Sequence, residues 1–140
     1  MKDLLLDANV LVRFFVQDNP RQGAAATALF EQAERGEVTL HLEPLVLAEA
    51  VYVLMGTYER SRSEVVNVLL AVLQNAGIET LEEGTVIDAL RRFAAFNVDF
   101  SDAWMAARAA QSGRAVASFD RDFDKFKDIR RFEPSRKIVG

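Results

Sequence analysis

The chain has 140 residues, half of them hydrophobic and 27% charged, with no cysteine and a single histidine, His41. That length suits one domain, expected over residues 1–140, with a basic C-terminal segment from about residue 127. The composition is globular and excludes a disordered chain. Without thiols, a disulfide scaffold and thiolate zinc sites are excluded, and one imidazole excludes His-rich metal centres. Any metal must be held mainly by carboxylates, which selects a hard ion such as Mg²⁺ or Mn²⁺.

No apolar run reaches the roughly 18 residues that a membrane span needs. Near the N-terminus, Leu4-Leu5-Leu6 is cut off by Asp7, too soon for a signal peptide. A cytoplasmic location away from membranes is therefore expected, and the absence of cysteine agrees with a reducing compartment. Net charge is −4, from 17 basic and 21 acidic residues. From Arg114 onward eight basic residues stand against five acids, so that segment is +3 and the rest −7. A basic end on an acidic body suits a polyanion, although a solvated tail has the same composition.

In chain order, Leu4 to Leu6 reads as a strand ending at Asp7, followed by a short helix over about Asn9 to Val16. Asp18-Asn19-Pro20 is a turn, with Asn19 as N-cap and Pro20 at the first helical position. That second helix runs to about Arg35 and stops at Gly36. Val38 to Leu42 alternates as a strand. Pro44 opens a third helix reaching Met55, and Gly56 closes it. Ser61 and Glu64 have capping-box spacing and start a fourth helix through Leu73. Ile78 to Leu81 is a short strand, Thr85 to about Phe96 a fifth helix, and Ser101 caps a sixth that ends at Ser112-Gly113. Ala115 to Ser118 is a strand, Asp120 to Phe126 an acidic turn, and a last strand lies near Phe132.

Strands separated by helices imply βαβ units, and hence an α/β fold with a mostly parallel sheet covered on both faces. Ligands of such sheets bind beyond the carboxyl ends of the strands. Two acids fall there: Asp7 ends the first strand and Asp120 follows Ala115 to Ser118. A helix cap or a turn also explains either one. Glu49 is the one carboxylate in the apolar run Leu45 to Met55, where burial is costly unless the charge is paired. The alternative is an exposed stripe on a surface helix. Asp102 sits in the first turn of the sixth helix, favoured there by the helix dipole but also rigidly aimed. Four carboxylates converging on one sheet edge would repel one another unless a divalent cation offset their charge. Such a site suits metal-assisted phosphoester hydrolysis and needs neither a thiol nor an imidazole.

Four stretches then stand out together. Asp7-Ala8-Asn9-Val10-Leu11, Glu49 within Ala-Glu-Ala-Val-Tyr-Val-Leu, Asp99-Phe100-Ser101-Asp102-Ala103, and Ser118-Phe119-Asp120-Arg121-Asp122-Phe123 resemble the four motifs of PIN-domain ribonucleases. More narrowly they resemble VapC-type toxins of toxin–antitoxin pairs, over Asp3 to about Phe126 and in the family's order. The resemblance implies a three-layer α/β/α sandwich and a Mg²⁺- or Mn²⁺-dependent endoribonuclease acting on structured RNA, commonly tRNA or ribosomal RNA. It implies that Asp7, Glu49, Asp102 and Asp120 form the acidic quartet. Asp7, Asp102 and Asp120 would be direct metal ligands, and Glu49 would bind a second metal or orient the attacking water. Asn9 and Ser118 match small polar positions beside the first and last acids, and Asp122 a variable accessory position. Ser118 stands where threonine is common, which keeps the hydroxyl. The resemblance further implies a homodimer and a cognate antitoxin protein. Phe14, Phe15 and Phe30 suit an antitoxin groove or, more simply, the core, and Trp104 reads as a packing residue.

Other readings fit less well. A haloacid-dehalogenase-like phosphatase needs an acid two residues after its nucleophile, where this chain has Asn9. A phosphoacceptor receiver domain would place lysine after a late strand, where this chain has Asp120-Arg121-Asp122. A non-catalytic PIN-like module that binds RNA or a partner would be expected to have lost one of the four acids, and all four are present.

Overall fold

A computed structural model describes residues 2–135. Backbone contacts cluster into two units that divide between Glu83 and Gly84.

The first unit holds β1 (Lys2–Leu5), α1 (Ala8–Phe15), α2 (Pro20–Glu34), β2 (Val38–His41), α3 (Pro44–Gly56), α4 (Arg62–Leu73) and β3 (Ile78–Glu79). Its sheet has the order β1-β2-β3, and both pairings are parallel, with Lys2 opposite Val38 and Leu40 opposite Ile78. Val38 and Leu40 of β2 are buried, and Leu11, Leu47, Leu54 and Leu69 bring all but α2 of the helices into the core; α2 adds Phe30 and Ala33. Thr39 and His41 point to the opposite side of the sheet, where His41 Nε2 lies 3.0 Å from Asp3.

Local signals set the helix ends. The Asn19 side chain accepts from the Gln22 N–H at 3.1 Å, with Pro20 at the first position. Ser61 and Glu64 form the full capping box, and the hydroxyl and N–H of Ser61 hold the Glu64 carboxyl below its usual range. Gly77 is required by close approach, because a Cβ there would run into the Ala33 backbone. Its carbonyl accepts from Leu40 N–H at 2.7 Å, so the tight contact seats β3 on β2.

The second unit holds α5 (Glu83–Ala95), α6 (Phe100–Ser112), β4 (Val116–Ala117), a 3₁₀ turn (Arg121–Lys125) and β5 (Arg131–Phe132). β4 and β5 pair in parallel. Phe93 meets Phe100 edge-on, with ring centroids 5.6 Å apart, and Ala109, Val116, Phe123 and Ile129 form a small core of their own. Arg92 clamps the C-terminal stretch: it bonds Asp88 at 3.0 Å and Asp128 at 2.8 Å, and lies over the Phe126 ring.

Parallel strands joined through helical segments give the α/β class expected from the alternation. Several boundaries differ. β1 stops at Leu5, so Asp7 is the N-cap residue of α1 rather than the last residue of a strand. β3 and β4 have two residues each, shorter than their apolar runs. Ser101 is not the cap of α6. Asp99 takes that position, because Phe100 is already helical and buried in the core. α5 begins at Glu83 rather than Thr85, whose buried hydroxyl donates to Gln111 at 2.6 Å. The acidic turn after Asp120 is a 3₁₀ helix pinned by buried Phe123. Within the described residues β1 pairs with β2, and β4 with β5.

Candidate metal centre

In the second unit three carboxylates meet. Asp102 is in the first turn of α6, Asp120 is the N-cap of the 3₁₀ turn, and Asp122 lies in its first turn. Each offers one oxygen, and these oxygens all lie within 4.8 Å of one another. Local bonds shape the loop that presents them. The Ser118 hydroxyl accepts from the Asp120 N–H at 2.9 Å, and Asp120 Oδ1 accepts from the Asp122 N–H at 2.8 Å. Lys125 reaches Asp122 at 3.1 Å and donates to the Asn97 carbonyl at 2.9 Å.

The cluster is electrostatically uncomfortable. Partial burial, with the charges of Asp120, Asp99 and Asp122 behind it, raises the Asp102 carboxyl above its usual range. A bound cation would offset that repulsion. The donors are all oxygens, as Mg²⁺ or Mn²⁺ prefers. Metal–oxygen distances of about 2.1 Å put ligand oxygens about 3–4 Å apart, which the observed spacing accommodates after small rotations. The residues therefore fit a hard divalent ion, with Asp102 and Asp120 as its core and Asp122 beside them.

Of the other sequence candidates, Asp7, Asn9 and Glu49 lie in the first unit and Ser118 in the second. Asp7 is exposed, and although it occupies the N-cap position its side chain makes no capping bond; only its carbonyl does, to Val10 N–H at 3.1 Å. Capping therefore accounts for its position but leaves its carboxylate uncommitted to the helix. Asn9 is exposed in the first turn of α1. Glu49 is exposed too, so the cost of burying a carboxylate does not apply to it. It shares a face of α3 with Leu45 and Tyr52, which are 82% and 81% exposed. Ser118 acts on the backbone of Asp120 rather than on its carboxylate. Phe30 is buried, and half-buried Phe14 and Phe15 line a cavity of about 320 Å³ with Val68, Ala71 and Asn75. Trp104 is half-buried on α6.

Sequence reasoning gave Asp122 only an accessory place and counted Lys125 and Arg131 merely as basic charge. The i,i+3 spacing of Asp122 and Lys125 on one helical turn was a usable local signal. Arg131 is harder to read: Glu133 is two residues away, but Asp124 and the Ser118 carbonyl come within reach only once the 3₁₀ turn and the β4–β5 pairing form.

Parallel strands joined through helical segments, and an all-carboxylate cluster beside a late strand, define an α/β fold that carries a candidate metal site. The family model of the PIN domain matches residues 4–129, and the chain belongs to that family. PIN domains are generally metal-dependent nucleases and typically bind RNA, so the chain has a nuclease-type function. A search of curated proteins gives no match. Among the described residues no helix is long and apolar enough to cross a membrane.

Proposed function

We propose that this chain is a Mg²⁺- or Mn²⁺-dependent endoribonuclease that cuts structured RNA, tRNA or ribosomal RNA, and acts as the toxin of a VapC-type toxin–antitoxin pair. The single observation behind this reading is the Asp102, Asp120 and Asp122 cluster, which lies within the stretch that matches the PIN domain. In this reading Asp7, Glu49, Asp102 and Asp120 are the catalytic acids. Asp7, Asp102 and Asp120 hold the metal, and Glu49 holds a second ion or orients the attacking water. A bound Mg²⁺ or Mn²⁺ would supply an activated water and offset charge on the phosphoryl oxygens.

The chain's own residues prepare that chemistry. Asp102 stands in the first turn of α6, whose backbone sets the direction in which its side chain leaves the helix. The Ser118 hydroxyl and the Asp120–Asp122 backbone bond set the second and third carboxylates. Asp122 is partly neutralised by Lys125, which makes it a weaker ligand than its neighbours and suits it to an accessory role. The basic excess after Arg114 favours a polyanionic substrate. A homodimer, a cognate antitoxin and a cytoplasmic setting belong to the same reading.

Cleavage of total tRNA and ribosomal RNA tests it, with Mn²⁺, Mg²⁺ or EDTA, beside Asp7→Asn and Asp102→Asn. Discrete, metal-dependent fragments that both variants lose are expected. Cleavage that survives EDTA, or that Asp7→Asn performs at the parental rate, overturns the assignment. A chain that binds Mn²⁺ and RNA without cutting would be the non-catalytic module.

A further inference from the structure

The loop from Ser118 to Asp124 carries Asp120 and Asp122, and one guanidinium holds both of its ends. Arg131 lies on β5 with its side chain 12% exposed. Its Nη1 donates to the Ser118 carbonyl at 3.1 Å. Its Nε and Nη2 donate to the Asp124 carboxylate at 3.0 and 3.2 Å, and Glu133 accepts from Nη1 at 2.9 Å. Backbone bonds run alongside: Val116 N–H to the Arg130 carbonyl at 2.8 Å, and Ser118 N–H to the Phe132 carbonyl at 3.0 Å.

We propose that Arg131 is a positioning residue for the metal-binding carboxylates, a clasp that fixes the span of the loop bearing Asp120 and Asp122. The inference rests on the reading of that cluster as a cation site. The argument begins with repulsion. Three like charges held close together push the loop open whenever no cation is bound. The bonds inside the loop, Asp120 N–H to Ser118 and Asp122 N–H to Asp120, set its curvature but do not anchor it. Arg131 anchors it at both ends, to a strand. Its charge is matched by Asp124 and Glu133, neither of which belongs to the cluster, so it stiffens the loop without competing for the cluster's oxygens. Lys125 differs in this respect, since it bonds Asp122 directly. A lysine at 131 would keep the charge but lose the planar fork that serves all three acceptors at once.

Mn²⁺ titration of the full chain by calorimetry tests this, together with thermal unfolding in EDTA. Three variants are compared: Arg131→Lys, Asp124→Asn and Arg92→Lys. Arg92 is a matched control, 13% exposed and clamped to Asp88 and Asp128 in the same unit but not to the loop. Arg131→Lys should weaken Mn²⁺ binding about tenfold, the usual scale for residues that orient metal ligands. Asp124→Asn should weaken it in the same direction although its carboxylate lies outside the cluster. Arg92→Lys should lower the melting temperature comparably yet keep Mn²⁺ affinity within about twofold, as independent sites do. Parental affinity in Arg131→Lys overturns the clasp, as does a loss in Arg92→Lys equal to that in Arg131→Lys. Should Arg131→Lys not fold, a folded Asp124→Asn with parental affinity overturns it instead. If the parent itself binds no Mn²⁺, the metal reading fails and the clasp with it.

Discussion

Replacing Asp102 by Asn should make the metal-free protein more stable and the metal-loaded protein less stable, so that the order of the two chains inverts. In the absence of metal, Asp102 faces Asp120 and Asp122 with carboxylate oxygens within 4.8 Å, and Asp99 adds to the field. At about 4–5 Å in a water-like dielectric each such pair costs roughly 1 kcal/mol, and screening at this half-exposed site trims the sum to about 1–2 kcal/mol. Against that stands the lost attraction of a first-turn acid to the helix dipole, about 0.5 kcal/mol. Repulsion is the larger effect, leaving a net gain of about 1 kcal/mol, or a rise of about 3–5 °C in melting temperature for a chain of this size. With Mn²⁺ at a hundred times its dissociation constant, the parent gains about 2.7 kcal/mol, which the variant largely forgoes. Thermal unfolding followed by circular dichroism at neutral pH, in EDTA and in Mn²⁺, reads both halves. The EDTA advantage should also shrink on acidification. Because burial and neighbouring acids raise the Asp102 carboxyl, folding takes up a proton, and the parent recovers stability as pH falls through that raised value. A variant less stable than the parent in EDTA, or one stabilised equally by Mn²⁺, would refute the reasoning.

Gly77→Ala should cost about 1–3 kcal/mol in urea unfolding, since the new methyl group meets the Ala33 backbone and cannot be accommodated by a rotamer change. Lys125→Met should raise Mn²⁺ affinity about two- to fivefold by calorimetry, because it removes a monovalent cation that competes for Asp122, on the scale of an exposed ion pair. Unchanged or weaker binding would mean that Lys125 helps to assemble the cluster rather than opposing it. Asp7→Asn should abolish RNA cleavage with little change in melting temperature, since its side chain makes no capping bond.

The features legible in the sequence are those whose causes are local. Asn19-Pro20 and the Ser61–Glu64 box mark helix starts because their hydrogen bonds span three residues. The start of α6 was misread because two capping candidates, Asp99 and Ser101, flank a phenylalanine, and burial of Phe100 decides between them. Strand lengths were overread because apolar runs continue past the last paired residues, as at Leu6, whose N–H still reaches the His41 carbonyl at 2.9 Å, and at Thr80-Leu81. The carboxylates were legible by type, and Asp102 with Asp120 do meet, but the approach of Asp122 to them was not, because the direction of a turn acid is set only once the 3₁₀ backbone forms. Glu49 shows the converse. Its apolar context suggested burial, yet α3 is apolar on nearly every side, so hydrophobic neighbours say nothing about which face is covered.

The parallel ladders of the first unit carry a kinetic consequence. Lys2 pairs with Val38 and Leu40 with Ile78, so neither pairing can begin as a hairpin. Each must wait for the chain between to come back on itself, and sheets of such long sequence separation fold slowly. The two well-marked helix starts ease that search. Once α2 and α4 form, an intervening stretch shortens from a loose coil to rods that advance about 1.5 Å per residue, and the strand ends are delivered near their partners. The order this predicts is helices first and sheet last. Weakening the Asn19 or Ser61 cap should slow folding before it visibly changes the folded protein, leaving Leu4-Leu5-Leu6 unpaired for longer and open to association with other chains.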